Sequence, residues 1–200
     1  MKAILDGQDL AIDRPTLAAA LEAGAAAARD QGRIVIEVMV DGQPVEGEQL
    51  GEPSDEPLEA QVLEMTSTDP ASLVRVTLFD AADAMESAKD EHAACAEMIH
   101  RGEMSEAMGA LAQLLSTWQA VRQAVVQGGA AVGRPLSGYA AEGALEERTE
   151  ALARQLDDLK RAVGNDDLVT VADLLEEDLR AEAGLWADTL RRIAEAMKTD

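Results

Sequence analysis

Val74, Leu78, Ala81, Met85, Ala88, His92, Cys95 and Ile99 follow one unbroken alternation of four-residue and three-residue steps. At 3.6 residues per turn, that spacing lays all of them along one stripe of an α-helix. A strand cannot reproduce it, because successive strand residues face opposite sides. Val74, Val76 and Leu78 alternate and by themselves suggest a strand. The longer periodicity outweighs that short run. Asp69-Pro70 supplies a start signal, a capping carboxylate followed by proline in the first turn. The spacing therefore predicts one helix over about residues 70–101. An apolar seam of that length must be covered, so the residues that follow are expected to pack on it as helices.

Three further stretches meet that expectation. Met104, Met108, Leu111, Leu115, Trp118 and Val125 form a stripe over about 103–127, with Arg122 as a polar interruption. "GGAAVGRPLSG" then reads as a linker, residues 128–140, because it concentrates glycine before a proline. Leu145, Thr149, Leu152, Leu156, Leu159 and Val163 mark a helix over about 141–163, which Gly164 ends. Leu168, Ala172, Leu175, Leu179, Trp186, Leu190, Ile193 and Met197 mark the last, over about 166–198, with Asn165 or Asp166 as cap. Short turns at Arg101-Gly102-Glu103 and Gly164-Asn165-Asp166 pair these helices as hairpins. The expected packing is an all-α antiparallel four-helix bundle over residues 69–200. Burying a seam leucine contributes about 1.5–3 kcal/mol. Leu156→Ala is accordingly expected to cost about 2–5 kcal/mol.

Residues 1–68 carry a different rhythm. Asp6-Gly7 and Asp41-Gly42 stand between short apolar runs, the sequence signature of tight hairpins. Strands are expected near Lys2–Leu5 and Asp9–Ile12, with a third over "IVIEVMV". A short edge piece limited by Pro44 and a last strand in "LEAQVLEMTS" follow. Between the second and third lies a helix that Asp13 or Thr16 can cap and Gly32 can end. Leu17, Leu21, Ala25 and Ala28 are its expected apolar face, weakened by Gly24. "GEQLGEPSDEP" reads as a surface loop.

The order strand, strand, helix, strand, short strand, strand resembles the ubiquitin-like β-grasp fold. The resemblance covers Met1–Ser67 and rests on element order and turn positions. It implies a binding module. Some β-grasp proteins act as tags or sulfur carriers through a free Gly-Gly carboxyl end. Here "EMTS" continues into "TDPASLV", and the one Gly-Gly is Gly128-Gly129. Conjugation and sulfur transfer are therefore not expected. The whole chain is also similar to bacterial proteins that join a short α/β segment to acidic helices. "DDLVTVADLLEEDL" carries that likeness, which transfers no site residue. The fold class expected is α+β: a small β-grasp-like N-terminal domain followed by the helical bundle.

Charge narrows the function. The formal net charge is -22. Residues 1–68 hold 4 basic and 14 acidic residues and residues 69–200 hold 13 and 25, so the excess is no acidic tail. Solubility and self-repulsion account for it in the first instance. Direct nucleic-acid binding is not expected, for want of a basic patch. No apolar run is long enough for a signal peptide or a membrane span. A single cysteine cannot form an internal disulfide. A cytoplasmic location is the expectation.

The sharpest candidate for chemistry is "HAACAEMIH", in which His92 and His100, the chain's two histidines, flank Cys95. Zinc needs four ligands, or three and a water. On a helix, His92 and Cys95 stand about 60° apart and could serve as weak candidate metal ligands. His100 lies about 140° from Cys95, too far round to join them. Glu97-x-x-His100 matches half of a di-iron motif, which needs the pattern on two helices and a Glu on two others. The plainer reading makes His92 and Cys95 a buried seam pair, with the histidine hydrogen-bonded. Phosphate-binding glycine loops and nucleophile motifs are absent. No cofactor is expected. Trp118 and Trp186 are core anchors or, alternatively, a partner surface.

These features point to a non-catalytic protein–protein interaction module: an adaptor, chaperone-like protein or assembly factor. Its partner would be a protein, with a basic one favoured by the charge, and a homodimer is compatible with the seams. The alternatives are a metal-binding bundle and an acidic nucleic-acid mimic.

Overall fold

The computed structural model describes residues 1–198 apart from Glu46 and Glu142, and for Glu48 the backbone only. The expected helix start near residue 141 abuts Glu142, and the expected domain end at Asp200 lies outside the described residues. By internal packing the chain divides into two compact units, Met1–Leu73 and Val74–Asp200.

The first unit is a five-stranded sheet with a helix on one face. Its elements are β1 (Lys2–Leu5), β2 (Gln8–Leu10), α1 (Leu17–Asp30), β3 (Ile34–Val40), β4 (Gln43–Pro44), α2 (Gly47–Gly51) and β5 (Val62–Thr68). The strand order is β2-β1-β5-β3-β4. β1 and β5 run parallel at the centre; every other pair is antiparallel. Both Asp-Gly pairs make the hairpin turns. Asp6 and Gly7 have φ of 49° and 81°, Asp41 and Gly42 of 47° and 79°, as a turn matching strand twist requires. The turn aspartates have a second use that the sequence did not reveal. The Asp41 carboxylate accepts from the backbone N–H groups of Gln61 and Val62, where β5 begins. The Asp6 carboxylate accepts from the N–H of Ser67 at 2.8 Å and its hydroxyl at 2.5 Å, where β5 ends. These two bonds hold the Asp6 carboxyl below its ordinary value. Arg33 donates to Ser67 on the same spot.

The core face of the sheet carries Ala3, Leu5, Val38, Leu63 and Met65 against Leu17, Ala20 and Ala28 of α1. The expected face of α1 is corrected: Ala25 is exposed, and Gly24 faces inward. A Cβ on Gly24 would stand 2.3 Å from Met65 Sδ. Glycine there allows close approach of helix to sheet, a role beyond the weakening its propensity implies. Thr16 is the cap, its hydroxyl accepting from Ala19 N–H. The loop read in "GEQLGEPSDEP" includes the short helix α2.

The second unit follows from α3 (Pro70–His100) through α4 (Met104–Ala131), a 3-10 turn (Leu136–Tyr139), α5 (Ala144–Gly164), α6 (Leu168–Asp173), a π-helical stretch (Leu174–Leu179) and α7 (Arg180–Ala196). The α3 seam is buried from Val74 to Cys95. Asp69 caps its start, accepting from Ser72 N–H at 2.8 Å. α4 corrects the expected stripe. Ala107, Leu111, Leu114, Trp118, Val121 and Gly128 are buried, whereas Met108 and Leu115 are exposed. The true seam keeps four-three spacing but begins and ends on small residues, Ala107 and Gly128, which carry little weight beside Met and Leu. α4 also runs through Gly128-Gly129 to Ala131, so the linker begins later than expected.

In α5 the inward positions are Leu145, Leu152, Leu159 and Ala162; Arg148 and Gln155 are also partly buried. Thr149 is exposed and Leu156 only half-buried, which moves the stripe from its expected phase. Asp167 caps α6, in place of Asn165 or Asp166, by accepting from Thr170 N–H. Asp166 takes the left-handed conformation, φ 59°, that closes the hairpin. The stretch Leu174–Leu179 is π-helical, with one extra residue in the turn. Beyond it Glu182 and Ala183 lie inward, at the seam position skipped between Leu179 and Trp186.

Leu152→Ala, at a site 1 % exposed, is expected to cost about 2–5 kcal/mol. Leu156→Ala should cost clearly less. Urea denaturation of both variants checks the order; a larger loss at Leu156 would refute the phase of α5.

Candidate functional site

Polar side chains thread the core of the helical unit. His92 on α3 is fully buried. Its Nδ1 lies 2.5 Å from Ala88 O, and the indole Nε1–H of Trp118 on α4 donates to its Nε2 at 3.2 Å. An indole N–H can only donate and a carbonyl only accept, so His92 is neutral with its proton on Nδ1. Burial lowers its pKa from the ordinary 6.5, partly countered by the bond to Ala88. The Trp118 ring meets Trp186 of α7 edge-on, centroids 6.1 Å apart. One turn before Trp186, Glu182 is also buried, and its Oε2 accepts from Arg148 Nη1 of α5 at 3.1 Å. Burial raises the Glu182 pKa, while the charge of Arg148 pulls it down. Contacts thus run from Ala88 through His92 and Trp118 to Trp186, and separately, one turn earlier on α7, from Glu182 to Arg148, together drawn from four helices; Trp186 Nε1 and Glu182 Oε1 are buried without a hydrogen-bond partner.

The weak metal candidates are accounted for by the same contacts. Both ring nitrogens of His92 are engaged, and Cys95, fully buried, donates its thiol to Ala107 O at 3.4 Å. Burial pushes the Cys95 thiol up, away from the thiolate a metal would bind. Glu97 pairs with Arg101, and His100 Nε2 stands 3.9 Å from Glu176. Among the described residues, no three His, Cys, Asp or Glu side chains gather in a way that could hold a metal ion. The structure brings together His92 and Trp118, which the sequence did not connect. It also corrects the alternative use of the tryptophans: Trp118 and Trp186 are 2 % and 1 % exposed, so neither presents a partner surface. Glu182 and its partner Arg148 escaped sequence reading. The signal was the missing seam position between Leu179 and Trp186.

A second feature lies at the surface of this unit. The last turns of α4, the crossing segment 132–139 and the first turns of α5 enclose an open groove of about 770 Å³. Its floor is apolar, with Val125, Ala130, Leu136 and Leu145, and Val126 stands at its lip. Gly128 and Gly129 explain how it forms. A Cβ on Gly128 would stand 2.9 Å from Val74 Cγ1 and 3.1 Å from Leu136 Cδ1. One on Gly129 would stand 3.2 Å from Arg134 O. The glycine pair therefore lets the segment cross α4 at close range and bury Leu136. Pro135 starts the 3-10 turn, and the Arg134 guanidinium sits 3.9 Å above the Tyr139 ring.

No protein-family model matches the chain, and no curated protein or solved structure shows significant similarity to it. Among the described residues, no helix is long and apolar enough to cross a membrane.

Two predictions follow from the polar core. Arg148→Ala leaves Glu182 buried without its cation and should cost about 3–5 kcal/mol, whereas joint replacement of Arg148 and Glu182 by Met should cost much less. Equilibrium unfolding of the single and double variants tests this; equal losses would count against the pair. For His92, the lowered pKa means that the unfolded chain takes up the proton first. The stability due to neutral His92 is present above the ordinary value of 6.5 and lost as pH falls through the lowered native value. His92→Leu should flatten that acid slope while costing about 1–3 kcal/mol at neutral pH, because the Trp118 N–H loses its acceptor. Urea midpoints at neutral and mildly acidic pH read both effects. An unchanged slope would assign the acid loss to other groups.

Proposed function

We propose that the chain is a non-catalytic protein–protein interaction module of the cytoplasm, an adaptor, chaperone-like protein or assembly factor. The observation that carries this reading is the apolar groove beside α4 and α5, open to solvent and framed by helices. Apolar recognition surface is thus present where the unit's most reactive side chains, His92 and Cys95, are hydrogen-bonded inside the core. Protein partners read such surfaces through buried apolar anchors surrounded by a polar rim.

The architecture proposed for the module is a β-grasp-like domain followed by an antiparallel four-helix bundle. For the first, support comes from a strand order of β2-β1-β5-β3-β4, with parallel β1 and β5 at the centre and α1 across one face. For the second, support comes from long helices joined at tight turns, with buried side-chain contacts between α3 and α4, α4 and α7, and α5 and α7. A metal-binding function has no such support, because His92 and Cys95 already use their donor atoms.

Affinity capture of the full chain from native lysate, with crosslinking and mass spectrometry, tests the reading. A stoichiometric protein partner is expected. A chain that is monomeric and returns no reproducible partner would count against it.

A further inference from the structure

We infer that the groove between the C-terminal turns of α4 and the first turns of α5 receives an amphipathic helix with a basic polar face, supplied by another protein. The inference rests on the interaction-module reading and names its class of partner. Shape comes first. Small-molecule pockets usually enclose about 70–90 % of their ligand. This groove is open along one side, and an apolar floor with few polar groups suits the ridge of a helix that keeps its other face in water.

The groove is also preorganised. Leu136 is buried, Gly128 and Gly129 admit the crossing segment, and Arg134 is stacked on Tyr139. A partner would not have to order these parts, so more of the apolar contact appears as affinity. Val126, at the lip, is 73 % exposed and has the most to gain from being covered.

Charge then selects the occupant. Glu146 and Glu150 stand one turn apart on the α5 side of the groove, while Arg134, stacked on Tyr139, lines it from the crossing segment, so it is the α5 side that is acidic. The chain as a whole carries -22. A second copy would bring the same sign and be repelled, whereas a basic helix would be attracted at encounter and held beside the two carboxylates. The partner helix would place apolar side chains at i, i+3, i+4 and i+7 on Val125, Val126, Ala130, Leu136 and Leu145. Its Lys or Arg residues would flank Glu146 and Glu150.

The test uses the full chain and a fluorescein-labelled synthetic helical peptide with Leu at those four spacings and Lys elsewhere, read by anisotropy. Saturable one-to-one binding that weakens with salt is expected. Val126→Arg should weaken it about tenfold or more, a loss of about 1.4 kcal/mol. Glu146→Lys with Glu150→Lys should weaken it about tenfold and flatten the salt dependence. Val169→Arg, at an exposed site on α6, should leave it unchanged. Peptides with Glu for Lys, or with the same Lys and Leu scrambled off one face, should bind at least tenfold more weakly. Equal binding of the scrambled peptide, or indifference to Val126→Arg, would overturn the inference. Should the peptides fail while native capture still returns a stoichiometric partner, the groove assignment falls alone. Failure of both removes the module reading with it.

Discussion

The Trp118 indole is the contact on which the helical unit turns. Its N–H needs an acceptor once buried, and His92 Nε2 provides one from α3. Its ring edge-packs against Trp186 of α7. One residue therefore couples three helices: rotating α3 or α4 would break the buried Trp118–His92 hydrogen bond, and rotating α7 would open the Trp118–Trp186 ring contact. The Arg148–Glu182 pair ties in α5 by the same logic, with a charge at stake. Apolar seams alone tolerate many rotations of nearly equal energy. A few polar contacts with narrow geometry choose among them.

This arrangement separates two tasks. The core engages its titratable and nucleophilic groups in internal contacts: His92 with Ala88 and Trp118, Cys95 with Ala107, and Glu182 with Arg148. The surface keeps apolar residues that the core does not need, Val126 among them. The groove exists because Gly128 and Gly129 continue α4 while admitting the chain that crosses it. A side chain at Gly128 would crowd Val74 and Leu136, and one at Gly129 the backbone at Arg134.

Much of the fold was legible. Asp-Gly pairs announced both hairpins, since the positive φ that those turns demand has few other solutions. The α3 seam was readable because eight positions in phase leave no other helical face. Legibility failed where residues were small or polar. The α4 seam runs through Ala107 and Gly128, which look neutral beside exposed Met108 and Leu115. In α5, Arg148 and Gln155 occupy inward positions that a search for leucines passes over. His92 and Cys95 were recognisable as seam residues, but the acceptor and donor that satisfy them lie on another helix.

The sequence by itself determined the division into a sheet-bearing first part and a helical second part, the turn positions and most helix boundaries. Those properties are local, set by periodicity, capping and φ preference within a few residues. Only the tertiary structure decided which faces of α4 and α5 turn inward, why Gly24 and Gly128-Gly129 are glycines, and that Glu182 is buried opposite Arg148. Each depends on what lies across the interface: Met65 above Gly24, Leu136 above Gly128, Arg148 opposite Glu182. Contacts between residues far apart in the chain leave no period in the sequence.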